Sequence, residues 1–284
     1  MKRQFKLSKG NNKRIKQKAL KSETLKVVIH YFNRRNMSQP SYGEALEVIT
    51  TLEVVQPEKL YTIKGVRLQN GENLIVQVTV GLLDKSNAHS QREWGEYGKQ
   101  TGWGLVSGPL MTALFTNLYD NQDVDGVEEI RKIFAADSKD HGTMIMTNTR
   151  IKYTKDGSDV ITHNWGMPDE FSLEGRLRGT NDFIGPGMED LTLALLGNGD
   201  SSKVSDVYEW VLGGKPYLVR LASNPDEDKE YALVIDNTNN NPYFSSLPSY
   251  DTSELGNRKL NFNTLFPPAV RTKARGIRIV STFP

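Results

Sequence analysis

The chain has 284 residues, with 36 Lys and Arg against 34 Asp and Glu and 37% hydrophobic residues, which is enough for one large domain or two modest ones. Its lack of cysteine excludes a disulfide scaffold, thiolate metal sites and a cysteine nucleophile. No apolar run approaches ~18 residues, and no apolar stretch of about 7–15 residues follows the basic start. We therefore expect neither a transmembrane helix nor a secretory signal, and we favour a location in the cytoplasm or in a virion.

The charge of the chain is concentrated at its N-terminus. Residues 1–35 carry 12 basic side chains and one acidic side chain, a net charge of +11, which leaves −9 for the other 249 residues. A basic arm neutralises phosphates and gives a salt-dependent affinity that ignores base sequence. The pattern predicts contact with nucleic acid or another polyanion, although a solubilising tail or an anionic membrane surface would also fit. The candidate nucleic-acid-binding residues are Lys2, Arg3, Lys6, Lys9, Lys13, Arg14, Lys16, Lys18 and Lys21.

The residues around and after this arm predict how it makes contact. Phe5 is the only aromatic residue among the first 30, so contact with the phosphate backbone is favoured over base stacking. Leu25, Val28 and Phe32 follow a helical spacing over residues 22–35. We expect the apolar stripe of this helix to pack on the rest of the chain, on a second copy or on a partner protein.

A helix and a β-hairpin are predicted next. After a linker at residues 36–40, Ser41 and Glu44 form a capping-box pattern that begins a helix. Hydrophobic and polar residues then alternate on both sides of Asn70-Gly71, a dipeptide that favours a two-residue hairpin turn. The apolar positions of this alternation are Val66, Leu68, Leu74, Val76, Val78 and Val80.

The middle of the chain is predicted to contain two helices. Residues 94–109 are rich in glycine and aromatic residues and predict a loop or an irregular approach to a helix. Pro109 is typical of the first turn of a helix that runs to Leu118, and Asp125 begins a second helix. The aromatic residues of the glycine-rich segment are interface candidates if they are exposed and core residues if they are buried; they are Trp94, Tyr97 and Trp103.

The second half of the chain predicts further strands and helices. A second hairpin turns at Asp156-Gly157, and two strands follow a helix that stops at Gly213-Gly214. The predicted helices cover residues 187–196 and 202–212, the strands cover 217–221, 231–235 and 276–280, and a long loop covers 236–258.

Together these elements predict an α+β fold, with antiparallel hairpins interleaved with amphipathic helices and preceded by the basic arm and its helix. We divide the chain into the arm and helix, residues 1–38, and an acidic body, residues 39–284. The body could divide again near residues 170–185.

Three stretches carry a resemblance to a known family. They cover residues 108–121 (GPLMTALFTNLYDN), 144–166 (MIMTNTRIKYTKDGSDVITHNWG) and 204–221, together with the G-I-R-I-V ending. The chain resembles an uncharacterised family of small-genomed archaea and their mobile elements, which implies relatives but no chemistry. The ending after an Asn-rich segment is also similar to that of C-type-lectin-like domains, including the variable proteins of diversity-generating retroelements, although the usual lectin cysteines are missing.

The sequence offers little for catalysis or cofactor binding. The four histidines lie far apart, so no zinc motif is present, and we expect no metal and no cofactor. The spacing Gly102-x-Gly104-x-x-x-Gly108 is one residue too long for the dinucleotide fingerprint, and the P-loop and nucleophile-elbow motifs are absent. His163 ends the second hairpin, where a hydrogen-bonded structural histidine is favoured over a general base.

We therefore expect a non-enzymatic structural or assembly protein, a virion or nucleoprotein component whose arm contacts nucleic acid or another polyanion. One alternative is a lectin-like ligand-binding module that uses the loop at residues 236–258, with Tyr243, Phe244 and Tyr250 as ligand candidates. A second alternative is a hydrolase whose two carboxylates meet only in the folded protein.

Overall fold

The computed structural model describes residues 53–55, 60–67, 73–140, 143–155, 158–167, 169–175, 195–197, 201–213, 215–220, 229–236 and 259–283. Within these ranges the fold is α+β, as predicted. The helices given by the described residues are α1 (Gln91–Thr101), α2 (Gly108–Asp120), α3 (Val127–Lys139) and α4 (Ser201–Leu212). The strands of the same part of the chain are β1 (Glu53–Val55), β2 (Leu60–Arg67), β3 (Asn73–Leu82), β4 (Ile145–Lys152), β5 (Asp159–His163), β6 (Phe171–Gly175), β7 (Lys215–Arg220), β8 (Glu230–Asp236), β9 (Lys259–Phe266) and β10 (Arg275–Phe283).

The first sheet has four antiparallel strands in the order β1-β2-β3-β10. Strands β2 and β3 are the hairpin predicted from the alternating residues, and Leu74, Val76 and Val78 turn fully buried side chains toward the core. The alternation stops there, because Val80 is 39% exposed. Since β10 returns to pair with β3, the end of the described chain completes a sheet begun by its first strands.

The second sheet has six strands in the order β6-β5-β4-β8-β9-β7. Its β4–β5 pair is the second predicted hairpin. Strands β7 and β8 form where the sequence predicts them, but they do not pair with each other, because β9 lies between them. The pairing of β7 with β9 is parallel, so this sheet is mixed.

One apolar core joins both sheets through three helices. Helices α2, α3 and α4 form where their apolar faces predict them, and Phe115 of α2 lies edge-on to Phe134 of α3 and to Tyr208 of α4, at 5.0 and 5.3 Å between ring centroids. Each such aromatic pair adds about 0.5–1.5 kcal/mol to the burial of its surface. The core contains residues from both sides of 170–185, and a division of the body there stays a prediction.

The prediction of an irregular segment at residues 94–109 is wrong for most of its length. Helix α1 covers Gln91–Thr101, and only the residues after it form a loop. The helix begins at a capping box, in which the Ser90 hydroxyl accepts from the N–H of Glu93 and the Glu93 carboxylate accepts from the N–H of Ser90. This pair of hydrogen bonds offsets the low helix propensity of the glycines that follow.

The chain end is locked to α3 by a buried ion pair. Arg275 at the start of β10 donates to both carboxylate oxygens of Asp137, at 2.5 and 2.8 Å, and the two side chains are only 9% and 8% exposed. The guanidinium also donates to the backbone carbonyls of Thr79 and Val80 at the end of β3. One arginine therefore joins three elements that are distant in sequence.

Several predicted elements lie outside the described residues. They are the basic arm, the helix at residues 22–35, the helix after Ser41, the hairpin turns at Asn70-Gly71 and Asp156-Gly157, most of the helix at 187–196 and nearly all of the loop at 236–258.

Candidate functional site

A cleft of about 140 Å³ opens between α1, the loop that follows it, β4 and β10. Its walls are mostly apolar, and a few polar side chains converge on it, which is the usual composition of a small-molecule site. The apolar lining is provided by Trp94, Trp103, Leu105, Val106, Leu110, Met167, Ile277 and Ile279, and the polar lining by Asn148, Asn164, Asp169 and Arg278.

The wall formed by α1 depends on close backbone contacts. Helix α1 ends at Gly102, whose φ of +74° is left-handed, and the chain then folds back along the helix. A Cβ on Gly104 would lie 3.4 Å from the Cα of Gly98 in the helix, so the two backbones touch. This contact brings Trp103 to the rim of the cleft, where it is half-buried.

The floor of the cleft is a bulge in the middle of β4. Met146 pairs with Val234 and Arg150 with Ala232, so two extra residues are inserted on β4 between these pairs. The inserted segment contains Thr147, Asn148 and Thr149, which are at most 3% exposed. Bulges of this kind commonly lie beside functional sites, because they redirect a side chain.

Tertiary contacts satisfy the backbone of this bulge. The side-chain amide of Gln91, at the start of α1, donates to the carbonyls of Thr147 and Thr149 at 2.9 and 3.1 Å. The N–H of Asn148 donates to the carbonyl of Val106 at 2.7 Å. The bulge is thus a built feature, held by the helix and the loop that form the opposite wall.

One polar atom of the bulge has no hydrogen-bond partner among the described residues. The side chain of Asn148 lines the cleft, the residue is 3% exposed, and among the described residues its Oδ1 accepts no hydrogen bond. A buried acceptor left unpaired costs about 1–3 kcal/mol, so such atoms are rare and call for an explanation.

The turn at residues 164–169 forms another wall and is tied to the bulge. The N–H of Trp165 donates to the carbonyl of Asn148 at 3.3 Å. Asn164, with a left-handed φ of +52°, donates from its amide to the carboxylate of Asp169 at 3.2 Å. This bond helps to position Asp169, which is 9% exposed and is the one carboxylate among the described residues that line the cleft.

The lining of the cleft also carries a positive charge. The guanidinium of Arg278 on β10 stacks on the Trp103 ring, 4.1 Å from its centroid, and donates from Nε to Gln77 at 2.9 Å. Within the described ranges, Arg278 forms no ion pair with a carboxylate, whereas Arg131, Arg150 and Arg275 all do. Stacking and one hydrogen bond to a neutral side chain therefore position this guanidinium. No described carboxylate neutralises its charge.

A hydroxyl–imidazole pair lies behind the floor and has a structural role. Thr149 Oγ1 lies 2.8 Å from His163 Nδ1 and accepts from the N–H of Gly108 at 3.0 Å. Both side chains are fully buried, so a substrate in the cleft cannot reach them. His163 is thus the hydrogen-bonded structural histidine that its sequence position predicts.

The aromatic residues predicted as interface or ligand candidates lie in different parts of the structure. Trp94 is fully buried and donates from its indole to the carbonyl of Thr272 at 2.9 Å, so it belongs to the core. Tyr97 is half-buried against it, with ring centroids 5.5 Å apart, and Trp103 lines the cleft. The remaining candidates lie outside the described residues, namely Tyr243, Phe244, Tyr250 and the nine basic residues of the arm.

Sequence reasoning did not find the polar residues of the cleft. Asn148 lies in a run of four polar residues, 147–150, between the apolar residues of β4, and that interruption was a usable signal. Asn164, Asp169 and Arg278 carried none, because their convergence depends on the pairing of distant strands.

No helix in the described ranges is both long and apolar enough to cross a membrane. The same residues contain no group of three or more His, Asp or Glu side chains placed to hold a metal ion. No protein-family model, curated protein or solved structure matches this chain. The resemblance to an uncharacterised archaeal family therefore stays a prediction.

Proposed function

We propose that this chain is a non-enzymatic structural or assembly protein whose basic N-terminal arm contacts nucleic acid or another polyanion. The observation that carries the proposal is the division of charge, +11 over residues 1–35 and −9 over the other 249. An even distribution of the same residues would leave a nearly neutral chain with no preference for polyanions.

The composition of the arm indicates how it binds. Nine Lys and Arg residues occur within residues 2–21, with Phe5 as the only aromatic residue. This composition favours ion pairs with backbone phosphates, which position a protein but do not select a base sequence. The helix predicted at residues 22–35 would then provide the contact with a second copy or a partner protein.

The test compares three forms of the protein in binding to generic DNA and RNA at two salt concentrations. They are the full chain, a chain without residues 1–21, and a matched control in which residues 2–21 are scrambled at constant composition. Because the predicted affinity depends on charge and not on order, the scrambled arm should bind like the native one, and the deletion should lose binding. Unchanged binding after deletion, or binding without salt dependence, would refute the proposal.

The alternative functions give different results in the same experiment. A lectin-like module that uses residues 236–258 would bind its ligand equally with and without the arm. A hydrolase would turn over a substrate, and replacement of the arm would not change its rate. Binding to anionic vesicles but not to nucleic acid would assign the arm to a membrane surface.

A further inference from the structure

We propose that the cleft beside the β4 bulge is a binding site for a small apolar α-amino acid. The proposal does not depend on the arm, because every residue that carries it lies in the described body, between Gln77 and Ile279.

The first argument is the unpartnered oxygen of Asn148. The side chain of Asn148 lines the cleft and its acceptor has no described donor, so the natural ligand should supply an N–H or an O–H. The last torsion of an asparagine side chain is soft, and a modest rotation turns the oxygen toward a ligand. An ammonium group is the strongest such donor, since a charged hydrogen bond is roughly twice as strong as a neutral one.

The second argument is the pair of opposite charges on the cleft wall. Asp169 contributes a carboxylate and Arg278 a guanidinium, and each is held in place by a neutral amide, from Asn164 and Gln77. A ligand with an ammonium and a carboxylate matches both signs. Arginine is also suited to a carboxylate, because its planar fork donates two parallel hydrogen bonds.

The third argument is the size and polarity of the remaining wall. A volume of about 140 Å³ is close to that of an engineered cavity that holds one benzene molecule, which corresponds to about six to eight non-hydrogen atoms. Tryptophan, leucine and isoleucine side chains form most of that wall. An α-amino acid with a short branched side chain has this size and places its apolar part against these residues.

The experiment titrates the full-length protein with three matched probes. L-valine carries both charged groups, isobutylamine lacks the carboxylate, and isovalerate lacks the ammonium. Binding is measured by calorimetry and by tryptophan fluorescence, which should respond because Trp94 and Trp103 line the cleft. We expect saturable binding of L-valine and at least about tenfold weaker binding of each truncated probe, because each loses one charged hydrogen-bonding group.

Two variants assign the groups. Asn148→Ala should weaken the binding of L-valine and isobutylamine and leave the affinity for isovalerate unchanged. Arg278→Gln should weaken the binding of L-valine and isovalerate and leave the affinity for isobutylamine unchanged. Arg92→Gln, on the exposed side of α1 with a side chain that is 76% exposed, is the control and should change none of them.

The probe series keeps the proposal falsifiable even if a variant does not fold, since it needs only the native chain. A failure of L-valine to bind saturably would overturn the proposal, as would equal affinity for all three probes. Equal weakening of every probe in both variants would also overturn it, because that pattern indicates a loss of cleft shape and not of a specific contact.

Discussion

Removing Arg275 should leave a buried negative charge without a partner. The carboxylate of Asp137 is 8% exposed and accepts two hydrogen bonds from this arginine, at 2.5 and 2.8 Å. The variant Arg275→Met keeps most of the side-chain length but removes both bonds. It also removes the donors to two carbonyls at the end of β3, so the chain end loses a tether to both α3 and β3.

The expected loss is about 3–5 kcal/mol in the free energy of unfolding, the usual cost of breaking a buried pair by removing one partner. Two charge-assisted bonds at about 1.5–3 kcal/mol each give a similar sum. The pair lines a small cavity together with apolar residues that include Phe134, Met144 and Ile277. The double variant Asp137→Leu with Arg275→Met should therefore regain most of the loss, because neither charge then has to be buried.

Urea denaturation of the four forms in a double-mutant cycle measures these values. Arg271→Met is the matched control, because Arg271 pairs with Glu93 at the surface, where the side chains are 58% and 42% exposed. Such a pair contributes at most about 1 kcal/mol. A loss below about 1 kcal/mol for Arg275→Met, or additive losses in the double variant, would refute the reasoning.

The same pair predicts a pH dependence. Burial raises the pKa of Asp137, and the hydrogen bonds and charge of Arg275 oppose this rise without cancelling it. The folded state thus binds this proton more tightly than the unfolded chain, so this group's contribution to stability falls as pH rises through the interval between the two pKa values. Arg275→Met removes the opposing charge and should raise the pKa of Asp137 further. The loss in the free energy of unfolding of this variant, relative to the native chain, should therefore be smaller at about pH 5 than at about pH 7.

Two pairs of matched substitutions test the packing and the cleft. Gly108→Ala would place a Cβ 2.4 Å from a backbone carbonyl oxygen, so it should lower the free energy of unfolding by about 1–3 kcal/mol or more. A Cβ on Gly175 meets no atom within 4 Å, so Gly175→Ala is the control and should change stability little. Equal urea midpoints for the two variants would contradict the geometry. Asn117→Ala removes two hydrogen bonds of 2.8 Å to the backbone of Arg67 and should lower the free energy of unfolding by about 1–3 kcal/mol. Asn148→Ala removes an oxygen that has no partner among the described residues, so the free energy of unfolding should stay equal or rise. A larger loss for Asn148→Ala than for Asn117→Ala would show that this oxygen has a partner.

The elements predicted correctly depend on local rules. The two strands of the first hairpin follow from a period-two alternation, whereas the predicted turn between them at Asn70-Gly71 lies outside the described residues. Helix α2 follows from Pro109 at its start with an apolar stripe behind it. In both cases the residues that determine the element are close together in sequence. No long-range contact was needed to predict them.

The elements that sequence reasoning missed depend on distant partners. Helix α1 contains two glycines and ends at a third, a composition typical of loops, and it forms because Ser90 caps it and Gly98 packs on Gly104. The pairing of β10 with β3 joins residues almost 200 positions apart, and the parallel β7–β9 pair has no local signature. Because Asn148 and Arg278 lie on strands of different sheets, the cleft could be recognised only after both sheets were assembled.

The salt dependence of DNA binding tests the central claim most directly. If the nine basic residues within residues 2–21 all contact phosphates, log Kobs should fall with log salt concentration with a slope of up to about −8, from about −0.9 per phosphate contact on duplex DNA. Replacing these nine residues with Gln at constant length should bring the slope close to zero. A native slope near zero, or the same steep slope after replacement, would contradict the account.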